Sequence, residues 1–241
     1  MSTPVTLLFD GHDLADIFVV ERHVVRGLPT WEPTLVDVMG RSGAIYAGTR
    51  ALPPTIELDL YFMEADRSSR MEAVRELAAI LAVDEPRPLV FGDEGGLWRM
   101  AVPKLEQPLT AYLDADAAHV AFTCPDPWLY GIEREVALSS TTTLRVGGTA
   151  PTPIDIEVTG ATAGMLTISN ATTGETMTVN GITSGATVVA KSTDRTLTIN
   201  GTSYLLAANS DWLSAIPGNN EMTITSGGGS SVKATITERW W

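Results

Sequence analysis

The chain has 241 residues, and 44% of them are hydrophobic, which is enough for one large all-β domain or two ordinary domains with a sizeable core. The formal net charge of −13 argues against a general nucleic-acid binder, because such proteins contact phosphates through clustered Lys and Arg side chains. The single cysteine excludes an internal disulfide framework and a zinc site built from several cysteines.

The N-terminal segment 1–13, MSTPVTLLFDGHD, lacks the basic region and the long apolar core of a signal peptide. No apolar run reaches the roughly 18–20 residues that a membrane-spanning helix needs. These observations predict a protein that is made in a cytoplasm, stays soluble there and has no membrane span.

The first half of the chain reads mainly as β-strands. The segment TIELDLYF alternates between apolar and polar residues, so that Ile56, Leu58 and Leu60 share one face of a strand. Further strands are predicted at 17–25 (IFVVERHVV), 97–103 (LWRMAVP) and 119–124 (HVAFTC). Turn-rich segments separate them at 9–13, 38–48 and 91–96.

One helix is predicted over residues 66–83, DRSSRMEAVRELAAILAV. Ser69 and Glu72 have the spacing of a capping box, in which each side chain satisfies a backbone N–H near the helix start. Pro86 prevents its continuation. Residues at helical spacing form one apolar stripe that predicts packing on a sheet: Met71, Val74, Leu77, Ala78 and Leu81.

The second half of the chain differs in charge and composition. Residues 1–138 carry 11 basic and 22 acidic side chains, a net charge of −11, whereas residues 139–241 carry 5 and 7 and are rich in Thr, Gly and Ser. We therefore predict a domain boundary near residue 138. Short strands at regular spacing, joined by hairpin turns at 172–175, 192–196 and 200–202, predict a sandwich or a barrel.

Cys124 is the first candidate for chemistry, because a cysteine nucleophile needs a nearby base and a lowered pKa. His119 lies five residues earlier on the same predicted strand, and strand side chains alternate between faces, so the two point in opposite directions. We interpret Cys124 as a small buried apolar residue.

Other chemical signals are weak. The segment 10–16, DGHDLAD, is rich in Asp, but it lacks the ligand spacing and closing Glu of a calcium loop and reads as a surface turn. The three histidines have no metal-ligand spacing, and no G-x-S-x-G motif is present. We predict no catalytic residue, no metal site and no cofactor. A glycosidase remains an open alternative, because its paired carboxylates meet only in three dimensions.

The strongest signal is the segment 122–131, FTCPDPWLYG, which resembles the junction between the two domains of the distal tail protein family of long-tailed, siphovirus-type bacteriophages. The matching residues are Phe122, Pro125, Pro127, Trp128, Tyr130 and Gly131. A second similarity is the Gly-Arg-x-Gly turn at 40–43, followed by an alternating strand and a lone helix. A third is the ending, where GNNEMTI at 218–224 precedes a last strand closing in RWW.

The resemblance implies a mainly β fold with two domains. Residues 1–138 would form a β-barrel-like domain with one helix that assembles into a ring, usually a hexamer, and residues 139–241 a galectin-like β-sandwich. The family joins the tail tube to the baseplate or tail-tip hub and leaves a channel for DNA. The implied partners are other copies of the chain, the tail tube protein, the tail-tip hub protein and the tape-measure protein. The implied location is the virion tail tip, after synthesis in the bacterial host cytoplasm.

Two sets of residues follow as candidate sites. Two prolines separated by one residue stiffen the chain, so we predict that the six junction residues anchor one domain to the other. The long, apolar-rich hairpin that contains the 40–43 turn is predicted to contact a neighbouring subunit, and the residues are Met39, Gly40, Arg41, Gly43, Ile45 and Tyr46. We also expect part of the acidic excess to line the channel, because a DNA conduit should not bind DNA.

The alternative function is a carbohydrate-binding module that contacts host-cell glycans, since galectin-like sandwiches often bind sugars. Any of the six tryptophans could stack on a sugar, although core or interface burial is the default for so large an apolar ring. Trp240 and Trp241 end the chain, and we expect them to dock on the protein.

Overall fold

The computed structural model describes residues 6–16, 18–21, 29–62, 66–104 and 117–241. The chain forms two compact units: the first runs to Leu129 and includes Trp241, and the second is Tyr130–Trp240. This division comes earlier than the boundary expected near residue 138. The reason is that the residues up to Ala137 continue a strand that belongs to the second unit.

The described part of the first unit contains nine strands, one turn of 3-10 helix and one α-helix. The strands are β1 (Leu7–Phe9), β2 (His12–Asp13), β3 (Phe18–Glu21), β4 (Trp31–Asp37), β5 (Ala44–Ala51), β6 (Thr55–Phe62), β7 (Arg87–Phe91), β8 (Trp98–Lys104) and β9 (Ala117–Thr123). The 3-10 turn is Leu14–Asp16 and the helix α1 is Arg67–Leu81. The last residues of the strand predicted at 17–25, from 22 onward, lie outside the described residues.

Seven of these strands form one antiparallel sheet in the order β3-β6-β9-β8-β7-β1-β2. The strand predicted from the alternation of TIELDLYF is confirmed as β6, and Ile56 and Leu58 are buried as expected. Side chains from β1, β6, β7, β9 and α1 enter the same core, so this sheet curves around one apolar centre. The core members are Leu7, Phe9, Leu14, Ile56, Leu58, Val74, Leu77, Leu81, Leu89, Phe91, Ala101, Val120, Phe122 and Cys124.

The helix begins differently from the prediction. Its N-cap is Asp66, whose carboxylate accepts hydrogen bonds from the backbone N–H groups of Ser68 and Ser69 at 2.9 and 3.0 Å. The capping box expected from Ser69 and Glu72 is therefore wrong, because the carboxylate already satisfies these donors. The Ser68 and Ser69 hydroxyls also donate to Asp66, and these bonds hold the pKa of its carboxyl well below the usual range.

Replacing Asp66 with alanine is expected to lower the melting temperature by about 2–4 °C, because the first turn loses its acceptor. Glu72→Ala is the control and should leave the melting temperature unchanged. In the folded protein, the pKa of the Asp66 carboxyl lies below its ordinary value of 3.8. The contribution of Asp66 to the stability of the protein is therefore complete above pH 3.8 and declines as the pH falls below that value. Thermal melts of both variants across acidic pH measure this, and an equal effect of Glu72→Ala would contradict the assigned cap.

The second unit is a β-sandwich. Its strands are β10 (Leu129–Ala137), β11 (Thr141–Val146), β12 (Thr152–Pro153), β13 (Asp155–Ala161), β14 (Gly164–Asn170), β15 (Glu175–Ile182), β16 (Ala186–Lys191), β17 (Thr196–Ile199), β18 (Thr202–Tyr204), β19 (Ser214–Ala215), β20 (Gly218–Ser226) and β21 (Ser231–Trp240). One sheet has the order β18-β17-β16-β13-β21-β10, another has the order β11-β20-β14-β15, and β12 pairs with β19.

Alternate residues of the two larger sheets enter one core, for example Ile156 and Val158 from β13 and Leu166 and Ile168 from β14. The three hairpin turns predicted from Gly, Asn and Asp residues join β14 to β15, β16 to β17 and β17 to β18. The mainly β fold with a C-terminal sandwich is thus confirmed, and α1 is the one α-helix within the described residues.

Candidate functional site

The strands β4 and β5 form a separate two-stranded sheet, and no other described strand pairs with it. Every described residue of β4 is exposed, and β5 has no buried residue. An isolated hairpin of this kind is at best marginally stable in water, because neither face has a core to pack against. The segment 31–51 is named the β4–β5 hairpin below.

Both faces of the β4–β5 hairpin carry apolar cross-strand pairs. Leu35 lies opposite Tyr46, and the two side chains are 61% and 63% exposed. Val36 lies opposite Ile45 on the other face, and these side chains are 47% and 42% exposed. Met39 at the tip is fully exposed. Apolar surface on both faces is typical of a segment that is buried on both sides in an assembly.

The tip of the hairpin has the turn predicted from Gly-Arg-x-Gly. The Arg41 N–H donates to the Val38 carbonyl at 3.1 Å. Gly40 and Gly43 have φ values of +82° and +80°, a region that residues with a Cβ rarely adopt. The two glycines therefore shape the tip, and the predicted subunit contact of all six hairpin residues remains a prediction.

The charge of the hairpin differs from that of the chain. Its acidic residues, Glu32 and Asp37, are balanced by Arg41 and Arg50, whereas the whole chain has a formal charge of −13. The Arg50 guanidinium donates to the Glu32 carboxylate at 2.7 Å, directly across the two strands. Contact between two copies at this surface is therefore not opposed by net like charge.

Three tryptophans hold the base of the hairpin. The ring centroid of Trp31, the first residue of β4, lies 4.4 Å from that of Trp241, and the Trp241 centroid lies 3.9 Å from that of Trp128. The last residue of the chain thus packs between the start of the hairpin and the segment after β9 in the first unit.

Replacing Trp241 with alanine is expected to loosen the base of the hairpin, because each aromatic contact contributes about 0.5–1.5 kcal/mol beyond its buried area. Hydrogen exchange of the β4 amides should become faster, and tryptophan fluorescence should shift to longer wavelength. Trp241→Phe keeps an aromatic ring and should show a smaller change in exchange. Unchanged exchange in Trp241→Ala would contradict this role of the cluster.

The predicted junction residues fall on both sides of the division between the units. Phe122 is fully buried in the core of the first unit, where its ring centroid lies 5.1 Å from that of Phe9. Pro125, Pro127 and Trp128 follow it in the same unit. In the second unit, the Arg239 guanidinium lies 5.4 Å from the centroid of the Tyr130 ring. A Cβ on Gly131 would lie 2.8 Å from the Trp240 ring, so glycine is required there. Their joint role as an anchor remains a prediction.

Cys124 is buried in the first core, and this burial raises the pKa of its thiol to about 11. A neighbouring cavity of about 200 Å³ contains the ion pair of Arg99 and Glu94, with the Nη2–Oε1 distance at 2.7 Å, together with proline and tryptophan side chains. No described histidine lines this cavity. The thiol is therefore protonated at neutral pH.

The parts of the chain that the structure describes contain no group of three His, Cys, Asp or Glu side chains arranged to hold a metal ion. No helix within the described ranges has the length and apolar character to cross a bilayer. An open groove of about 490 Å³ in the second unit is lined by residues of 137–140, 162 and 224–232, and no aromatic ring is found among its described lining residues. This groove therefore lacks the stacking platform that many sugar sites use.

Comparisons with known proteins agree with this architecture. Residues 12–123 match the family model of the phage tail protein RIFT-related domain, and residues 147–240 match that of the siphovirus-type tail component, C-terminal domain. The curated distal tail protein of Bacillus phage SPP1 is 27% identical over 227 residues, which cover 88% of this chain and 87% of that protein.

Among solved structures, the crystal structure of the SPP1 Dit protein is described as a paradigm of the hub adsorption apparatus in phages that infect Gram-positive bacteria. It superposes with a TM-score of 0.79 at 20% identity, and the match covers 99% of this chain and 100% of that one. This likeness shows a shared fold.

The two family matches follow one another along the chain and define the class as a tail protein of siphovirus-type bacteriophages. The resemblance found in the sequence is thereby confirmed. The chain belongs to the distal tail protein family of these phages.

The contact residues predicted from the sequence lie at the tip of the hairpin and on β5, and none was predicted on β4. Leu35 and Val36 on β4 are as exposed as Ile45 and Tyr46 on β5, although they were not predicted as contact residues. The segment WEPTLVD contains the necessary signal, since its apolar residues lie directly before a glycine-rich turn. The contact of Trp31 with Trp241 has no signal in the sequence, because 210 positions separate the two residues.

Proposed function

We propose that the chain is a structural component of the phage tail tip, where six copies form a ring that joins the tail tube to the baseplate or tail-tip hub. The observation that carries the proposal is the β4–β5 hairpin, which exposes apolar pairs on both faces and has no core of its own. Burying a large aliphatic or aromatic side chain contributes about 1.5–3 kcal/mol, so a neighbouring copy that covers the hairpin would stabilise both partners.

The relatives support this role. The matched curated protein is a distal tail protein, and the structure that shares the fold is described as part of a hub adsorption apparatus. By inference, this chain lies in the virion tail and is made in the bacterial host cytoplasm. Its proposed neighbours are the tail tube protein, the tail-tip hub protein and the tape-measure protein, and its role requires no reaction.

The charge of the first half suits a conduit for DNA. Residues 1–138 carry a net charge of −11, and a surface of that sign repels a passing duplex. We propose that part of this excess faces a central channel in the ring, so that DNA passes without being bound. A basic lumen in a structure of the assembled ring would overturn this part of the proposal.

Negative-stain electron microscopy of the purified full chain tests the proposed function, with mass measurement by light scattering at the same concentration. Rings with a central hole and a mass near six chains of 25.7 kDa each support it. Single compact particles at all concentrations would overturn it.

A further inference from the structure

The cavity that contains the Arg99–Glu94 ion pair is lined, among the described residues, by the first unit alone. It is named the Arg99 cavity below, and its lining includes Glu94, Arg99, Asp126, Trp128 and Trp241. Its volume of about 200 Å³ corresponds to roughly six or seven water molecules, since each occupies about 30 Å³ in the liquid. The space therefore suits a molecule of about one six-membered ring, which is smaller than a drug-sized ligand.

Arg99 supplies a buried hydrogen-bond donor to this cavity. Its side chain is only 8% exposed, and its Nη2 donates to the Glu94 carboxylate at 2.7 Å. The Nε–H of the same guanidinium is buried and has no hydrogen-bond partner among the described residues. Buried donors are nearly always paired in folded proteins, so an occupant of the Arg99 cavity needs an acceptor oxygen.

The carboxylates of Glu94 and Asp126 set a second requirement. An ionised carboxylate only accepts hydrogen bonds, so an occupant that reaches these groups needs hydroxyl or N–H donors. Two carboxylates and one guanidinium leave the lining with a formal charge of −1, which opposes the binding of an anion. An ammonium or guanidinium ion has no acceptor for the Arg99 Nε–H. The lining therefore favours a neutral molecule that carries both donors and acceptors.

Two tryptophan rings add flat apolar surface to the cavity. Trp128 and Trp241 both line it, and both residues are partly exposed. Their ring planes are tilted by 47°. A sugar ring has apolar C–H groups on its faces and hydroxyl groups around its edge, and each hydroxyl both donates and accepts hydrogen bonds. The indole rings suit the faces of such a molecule, whereas the guanidinium and the two carboxylates suit its edge.

We propose that the Arg99 cavity binds a single neutral sugar ring, a pyranose. This inference goes beyond the proposed function, because the described lining comes from one unit of one chain and needs no neighbouring copy. It also assigns saccharide binding to the first unit and not to the sandwich, whose open groove has no aromatic ring among its described lining residues.

The test is titration of the purified full chain with the methyl glycosides of glucose, galactose and N-acetylglucosamine, followed by saturation-transfer NMR. A ligand of about 13–16 non-hydrogen atoms is expected to bind a fitting site with a dissociation constant of roughly 1 mM. At least one of the three glycosides should bind in this range. Tetramethylammonium and acetate are the charged controls, and neither should displace it. Failure of all three glycosides to bind at about a hundredfold higher concentration, or displacement by either ion, would overturn the proposal.

A matched pair of variants identifies the cavity as the site. Asp126 and Asp84 are both exposed residues of the first unit, but only Asp126 lines the cavity. Asp126→Ala should raise the dissociation constant about tenfold or more, because a hydrogen bond to a charged group has at least that effect. Asp84→Ala should leave it unchanged. Equal dissociation constants for the two variants and the unmodified protein would show that the sugar binds elsewhere.

A second measurement uses the unmodified chain and therefore does not depend on how a variant folds. The indole N–H signals of Trp128 and Trp241 should shift when the glycoside is added, whereas that of Trp212 in the second unit should not. A shift confined to Trp212 would place the sugar in the second unit and contradict the proposal. Neither measurement requires a ring, so their results are independent of the proposed function.

Discussion

Replacing Phe122 with alanine is expected to lower the free energy of unfolding of the first unit by about 3–5 kcal/mol. Phe122 is fully buried, it packs against Phe9, and it shares its core with three residues of α1. This loss has two parts. The ring no longer contributes the free energy of its transfer from water into the core, and its removal leaves a cavity that the surrounding sheet cannot close. Because whole domains are stable by about 5–15 kcal/mol, this single change removes a large part of the margin.

Equilibrium unfolding in denaturant, followed by circular dichroism, measures this loss. Ile132→Ala is the matched control, because Ile132 is also a large apolar residue on a strand but is 83% exposed in the second unit. It should change the unfolding energy by no more than about 0.5 kcal/mol. A loss below about 1 kcal/mol for Phe122→Ala would mean that the core described for the first unit is not formed in solution.

The parts of the fold that the sequence predicted well are those in which local pattern and burial agree. The alternation in TIELDLYF predicted β6 to the residue, because one face of that strand enters the core and the other does not. The apolar stripe of α1 was likewise correct at Val74, Leu77 and Leu81. In such segments a single periodicity is enough to assign both the element and its buried face.

The parts of the fold that were not predicted depend on neighbouring residues that could serve the same structural role, or on contacts between residues distant in sequence. Asp66 and Ser69 are both good N-caps, and only the structure shows that Asp66 accepts the bonds. The division after Leu129 reflects the strand β10, whose residues up to Ala137 carry the charged pattern of the first half yet belong to the second unit. A change in composition therefore located the boundary only approximately.

The features of the candidate site were likewise only partly predictable from the sequence. The turn glycines identified the hairpin, because a positive φ restricts the choice of residue at Gly40 and Gly43. The exposure of both faces has no such local signature, since an alternating apolar strand usually predicts one buried face. Leu35 opposite Tyr46 and Val36 opposite Ile45 became recognisable as two contact faces only through the register of the strands.

Replacing Ile45 and Tyr46 together with serine is expected to convert the proposed ring to single chains in size-exclusion chromatography. Burial of two such side chains contributes about 3–6 kcal/mol to each contact, so their loss should raise the dissociation constant by roughly 10²–10⁴-fold. Ile132→Ser is the control, because it removes an apolar side chain of the second unit that is more exposed than Ile45 or Tyr46.

The two single variants separate the faces of the hairpin, since Ile45 and Tyr46 lie on opposite sides of β5. If a neighbouring copy covers both faces, Ile45→Ser and Tyr46→Ser should each weaken assembly, and the double variant should weaken it by about the combined amount. If only Tyr46→Ser weakens assembly, the Val36 and Ile45 face is free in the ring and the hairpin lies on its neighbour by one side. Intact rings of the double variant would show that the hairpin is not the subunit contact, because no assembly that buries these side chains would tolerate both changes.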